Sequence, residues 1–236
     1  STIPPSKRLL LFNDSPTPAN LAKYSSEIGS VLRPGEDRRV LCVRSGAPEK
    51  GAALKAVTDF FKKLGYSLVS EPTSALNSLS GIWLEGSDIA ELRKAISSMN
   101  DLSAAIFNNA IPYIGVQVGA ELAGLSASDN LETSALIDAH VRTGLLTADG
   151  KTQDDYRQLS ATTKKTVFAL APKSIARLDP HGIDIETRVI EGTALICRPT
   201  NYGGFGFNSR YAPSLDKVEK PYSFIAEKGY KGFVPV

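Results

Sequence analysis

The apolar residues in the first half of the chain fall into short runs separated by stretches of helical period. Residues 7–12 (KRLLLF) form one such run and open into the turn cluster Asn13-Asp14-Ser15-Pro16, which reads as a buried strand followed by a loop. Leu21, Tyr24, Ile28 and Leu32 stand near helical spacing and predict a helix over 20–32, stopped by Pro34-Gly35. Residues 39–43 (RVLCV) give a second buried strand. Ala53, Val57, Phe60, Phe61 and Leu64 mark one face of a helix over 52–64. Gly65 caps that helix, and 66–69 is a third strand. A fourth follows at 82–84, then a turn at 85–88 that ends in an N-cap, then a helix over 89–96. A fifth strand is expected at 111–114.

Strands alternating with helices imply a mostly parallel sheet covered on both faces, a three-layer α/β/α fold. In such sheets, sites lie at the carboxyl ends of the strands. The loops 13–15, 85–87 and 115–119 all stand at such ends, so they are expected to converge.

The second half is less regular. Residues 136–141 (LIDAHV) read as a strand and 146–153 as a polar turn region. Residues 154–170 are long enough for a helix, although Thr162, Thr163 and Val167 weaken it. Short strands are expected at 174–178, 188–190 and 193–197, with Glu191-Gly192 suggesting a hairpin between the last two. Beyond Arg198 the aliphatic periodicity disappears, and Gly, Pro and aromatic residues dominate. This divides the chain into an α/β domain (1–198) and an irregular, Gly-rich aromatic C-terminal extension (199–236). Gly and Pro oppose regular elements there. Tyr202, Phe205, Phe207, Tyr211, Tyr222, Phe224, Tyr230 and Phe233 oppose plain disorder. Such an arm either wraps over its own domain or docks on a neighbour through aromatic anchors.

Composition narrows the function classes. Lys and Arg number 27 against 25 Asp and Glu in 236 residues, so charge makes no case for nucleic acid or a membrane surface. The apolar runs fall far short of the ~20 residues of a spanning helix. The first residues carry no apolar signal core, and Cys42 and Cys197 read as buried thiols. Both point to the cytoplasm or another reducing compartment. Two His and two Cys have no metal-ligand spacing, and no cofactor motif is present.

The stretch most suggestive of chemistry is 111–124, IPYIGVQVGAELAG. Strand, tight turn and helix in that order are the layout of a nucleophile elbow, G-x-S-x-G. Gly115 and Gly119 stand where that turn needs glycine, and Gln117 stands where the nucleophile belongs. An amide cannot attack a carbonyl as a hydroxyl or thiol does. Gln117 therefore either binds a ligand amide or carboxylate, or fills a dead pocket. Ser126 and Ser128 lie just past the elbow but lack the strained turn. Asp154, Asp155, Asp184 and Glu186 have no special spacing and read as solvated, as do the short Lys164-Lys165 and 228–231 basic patches.

YIGVQVGAELAG resembles the segment Y-I-G-W-S-A-G-A-x-x-A of the dipeptidase E and cyanophycinase family of serine peptidases. LLLFNDS (9–15), SGIWLEGSDIAELRK (80–94) and HGIDIETRVIEG (181–192) resemble further motifs of that family in the same order. The resemblance covers about residues 7–198 in short motifs and implies a glutamine-amidotransferase-like fold. It puts the family's serine on Gln117 and its histidine on His140. The acid falls on Ile185, or on His181 if the match is shifted, with Asp184 and Glu186 adjacent. The Gly-rich turn that helps form the oxyanion hole becomes Glu85-Gly86-Ser87, and a carboxylate there would oppose a developing oxyanion. The resemblance thus implies a degenerate site of Gln117, His140, Ile185 and Glu186. The vestigial pocket would be formed by Asn13, Glu85, Gly86, Gly115, Gln117, Gly119 and His140. The expected protein is an inactive peptidase-like subunit that self-assembles or docks through its C-terminal arm. The competing expectation is a hydrolase of peptide or isopeptide amides with relocated catalytic residues.

Overall fold

The computed structural model describes residues 8–33, 37–46, 51–71, 76–99, 111–133, 136–144, 150–181, 184–199 and 222–227, together with 102, 104 and 106. Its strands are β1 (Leu9–Phe12), β2 (Arg39–Ser45), β3 (Ser67–Val69), β4 (Gly81–Gly86), β5 (Tyr113–Gln117), β6 (Ala139–Arg142), β7 (Thr166–Leu170), β8 (Ile175–His181), β9 (Asp184–Glu191), β10 (Ala194–Pro199) and β11 (Tyr222–Glu227). The helices are α1 (Pro18–Lys23), α2 (Ser25–Val31), α3 (Leu54–Lys63), α4 (Ile89–Ser97), α5 (Val118–Glu121) and α6 (Gly150–Thr163).

The early apolar runs form one seven-stranded sheet in the order β3-β2-β4-β5-β1-β8-β9. The pairs from β3 to β1 are parallel; β8 and β9 add antiparallel at one side. Alternate residues of each strand enter two separate cores, which is why the strands read as continuous apolar runs. Leu10, Phe12, Cys42, Trp83, Ile114 and Val116 pack with Leu21, Ile28, Val57 and Phe61 of α1–α3. Leu9, Leu11, Leu84 and Tyr113 pack on the other face with Leu92 of α4 and Ala120 of α5. That second face also carries a smaller sheet, ordered β11-β10-β7-β6. Its Ala139, Val141, Phe168, Leu170, Ala194 and Ile196 join the core against the main sheet. Its Val167, Ala169, Leu195 and Cys197 turn the other way, against Tyr156 and Leu159 of α6.

Several expectations change. The helix over 20–32 is two helices that meet at Tyr24, whose backbone (φ −103°, ψ 19°) leaves helical geometry. The helix over 154–170 ends at Thr163, and the left-handed Lys164 (φ 59°) redirects the chain into β7. The β-branched Thr166 and Val167 suit that strand, which lies between β6 and β10. Glu191-Gly192 does not close a hairpin, because among the described residues β9 pairs with β8 and β10 belongs to the small sheet. Gly192 (φ 75°) turns the chain from one sheet to the other. Glu85 and Gly86 belong to β4 rather than to a turn. The boundary at 198 cuts through β10, and β11 of the extension pairs with β10, Phe224 opposite Cys197 and Tyr222 opposite Pro199. That part of the arm completes its own domain's sheet. Tyr202, Phe205, Phe207, Tyr211, Tyr230 and Phe233 lie outside the described residues. Among the described residues no helix is long and apolar enough to cross a membrane.

Candidate functional site

β5 runs straight into the elbow. Gln117 ends the strand, precedes α5, and holds φ 56°, ψ −122°. Such a backbone is costly for a residue with a side chain and persists only where its surroundings impose it. Two glycines provide those surroundings. A Cβ on Gly115 would lie 2.6 Å from the Gly119 carbonyl oxygen and 2.7 Å from Ala120 Cα. One on Gly119 would press into the Leu84 carbonyl of β4. The buried Tyr113 hydroxyl donates to the Gly119 carbonyl at 2.5 Å, tying the helix start back to the strand. The half-buried Gln117 amide has no hydrogen-bond partner among the described residues.

The loops at the carboxyl ends do meet. Glu85 stands beside Val116 and Gly86 beside Gln117. The Ser15 hydroxyl donates to the Glu85 carboxylate. Asn13, 7 % exposed, accepts the Gly144 N–H on Oδ1 at 2.8 Å, and its own N–H donates to the Ser174 carbonyl. Convergence does not place all of these side chains in one pocket. Glu85 shares its side of β4 with Trp83, whose Nε1 donates to it at 2.9 Å. Arg44 Nε donates to it at 3.0 Å. Tyr113 of β5 belongs to the opposite core, and the left-handed backbone of Gln117 ends the strand alternation there. The carboxylate is therefore paired with a guanidinium on the Trp83 side of the sheet. The opposition it was expected to offer an oxyanion is countered by that Arg44 charge.

His140 also stands apart. Ala139 and Val141 face the main sheet, so His140 and Arg142 project from the other side of β6, toward the layer under α6. There His140, 5 % exposed, has Nδ1 2.7 Å from Ser126 Oγ. Arg142 donates to the same Oγ at 2.9 Å and to the Ser126 carbonyl at 2.5 Å. The Ser126 hydroxyl, which also accepts from Arg142, either donates to Nδ1 or accepts from it according to the imidazole tautomer. Nε2 is buried and has no hydrogen-bond partner among the described residues. Burial first, then the Arg142 charge, hold the imidazole pKa down to about 4.

The acid positions lie at the far end of the sheet. Phe12 pairs with Ile175 and Leu9 with Leu178, so β8 runs on past the amino end of β1 to His181, which pairs with Asp184 of β9. Gln117 stands beyond the carboxyl end. Ile185 and Glu186 are on β9, three strands from β5, which is about 14 Å across the sheet. Neither position reaches the elbow.

One buried acid near the elbow is not evident in the sequence. Glu121 of α5, 2 % exposed, accepts from the Ser128 N–H (2.8 Å), the Thr143 N–H (3.1 Å) and the Thr143 hydroxyl (3.0 Å). The sequence signal is a lone carboxylate inside GAELAG, but its partners come from the loop just after α5 and from Thr143 after β6. Cys42 and Cys197 are free, and burial pushes each thiol up to about 12, so neither is a ready nucleophile. Among the described residues no group of three or more His, Cys, Asp or Glu could hold a metal ion.

His140 sets a pH dependence. Its folded pKa of about 4 lies below the ordinary 6.5, so the unfolded chain binds more protons between those values. Stability is full above about pH 6.5 and falls as pH drops toward 4, by up to ~3 kcal/mol from this residue. Urea denaturation from pH 7 to 4 should show that loss, with a shallower slope in His140→Gln. Equal slopes would remove His140 as the cause.

No family model matches this chain, and no curated protein matches it.

Proposed function

We propose that this protein is a catalytically inactive relative of dipeptidase E-type serine peptidases, acting as a binding or structural subunit. The observation that carries the reading is Gln117 in the strained elbow backbone, an amide that makes no cap hydrogen bond to α5, where a nucleophile would stand. The scaffold that presents a reagent is intact, while the residue it presents cannot attack a carbonyl. No imidazole or acid approaches it from the positions the resemblance assigns. The resemblance in short motifs over about residues 7–198 supports the descent. The aromatic arm supports assembly, and light scattering tests that part. The intact chain should exceed monomer mass, and a Phe205→Ser, Phe207→Ser variant should not.

A second reading, a hydrolase with relocated residues, is favoured by one observation: the 2.7 Å Ser126–His140 contact beside Arg142. A fluorophosphonate probe separates the two. The inactive reading expects no labelling of the wild-type chain and none gained by Gln117→Ser. Covalent labelling of the wild type, abolished in both Ser126→Ala and His140→Ala, would overturn it.

A further inference from the structure

A cleft of about 190 Å³ opens where the chain leaves β1, on the face of the main sheet opposite the elbow. Its apolar floor is Phe12 and Ile175, both in the core beneath α1–α3. Its walls carry Asp14, Lys23, Tyr24, Lys173 and Glu191. We propose that this cleft binds a small zwitterion of the α-amino-acid class, its carboxylate on Lys173 and its ammonium toward Asp14 and Glu191.

The charges of the walls carry the inference. Glu191 accepts the Tyr24 hydroxyl at 2.8 Å and stands 3.6 Å from Lys23 Nζ. Asp14 accepts from the Lys173 backbone N–H and from Asn13 Nδ2 (3.1 Å). The Asp14 contact holds Lys173 in a left-handed backbone (φ 63°), which fixes that residue at the rim. The Lys173 ammonium itself has no carboxylate within ion-pair distance among the described residues. Among the described residues, then, the exposed Lys173 brings to that wall a cation without an ion pair. Asp14 and Glu191, nearby, disfavour a doubly charged phosphate and suit an ammonium. The volume is that of about six waters, which fits one amino acid. The apolar floor takes an aliphatic side chain.

The proposal stands whether or not the elbow is inactive, and its test keeps the two separate. Isothermal titration of the full chain with L-valine, propionate, propylamine and inorganic phosphate is the measurement. L-Valine should bind more tightly than the other three. Lys173→Gln should weaken it about tenfold or more, while Gln117→Gly and Lys62→Gln should leave its affinity unchanged. The melting temperature of Lys173→Gln should match wild type. Absence of L-valine binding at millimolar concentration, equal binding of propylamine or phosphate, or full affinity in Lys173→Gln would each overturn the assignment.

Discussion

Glu85→Ala is expected to destabilise the protein by about 3–5 kcal/mol, the cost of breaking a buried ion pair from one side. The carboxylate is the common acceptor for Trp83 Nε1, Arg44 Nε and the Ser15 hydroxyl, and it is 2 % exposed. Truncation leaves a fully buried indole N–H and a largely buried guanidinium without that acceptor. Among the described residues Arg44 then keeps its bond to the Ala52 carbonyl at 2.7 Å. The lost bonds also join β2, β4 and the loop after β1, so the damage spreads across the carboxyl edge of the sheet. Glu85→Gln keeps an acceptor and removes only the charge, so it should cost less than Glu85→Ala. Replacing the pair together, as Arg44→Met with Glu85→Leu, should cost less than Glu85→Ala, because no charge is stranded. Urea midpoints of the three variants decide it. If Glu85→Ala falls within about 1 kcal/mol of wild type, the carboxylate is not the node of this network.

Much of the fold was legible because burial on both faces leaves a direct mark. LLLF, RVLCV and the run before the elbow are continuous apolar stretches, and each became a strand of the parallel sheet. The small sheet was harder to see. Its β6 and β7 carry His140, Arg142 and Thr166 among apolar residues, which blurs both periods. Its fourth strand comes from a segment whose Gly, Pro and aromatic composition suggested no regular element, because strand pairing to β10 depends on backbone groups that composition does not report.

The site was legible as a turn but not as a constellation. The spacing of Gly115 and Gly119 announced the close approach of helix to strand. The pairing of side chains across space was not written locally. Glu85 looked like a turn residue facing the elbow. One residue of strand alternation decides that it faces Arg44 instead. The same alternation turns His140 away from the main sheet, and the antiparallel sense of β8 carries Ile185 and Glu186 to the opposite end. Motif order along the chain is indifferent to such reversals.

Gly119→Ala should abolish stable folding, or cost at least about 3 kcal/mol, although it adds a single methyl group. The new Cβ would run into the Leu84 carbonyl, with the carbonyl carbon at 2.6 Å and the Glu85 nitrogen at 3.2 Å. These are backbone atoms of β4, clamped between β2 and β5, so no side chain can swing aside to make room. Gly144→Ala is the control. Nothing lies within 4 Å of its Cβ, so only the left-handed backbone (φ 83°) opposes it, at about 1 kcal/mol. Denaturation midpoints, or the soluble folded fraction where Gly119→Ala does not fold, compare the two. A Gly119→Ala protein as stable as Gly144→Ala would mean that α5 can lift from the sheet without loss. If the expected gap is found, the elbow glycines are required by the packing of α5 on β4 and β5 alone, with or without a nucleophile at 117. The glycine pattern then reports how closely helix and strand approach, and whether the site reacts depends on Gln117 and on the side chains that can reach it.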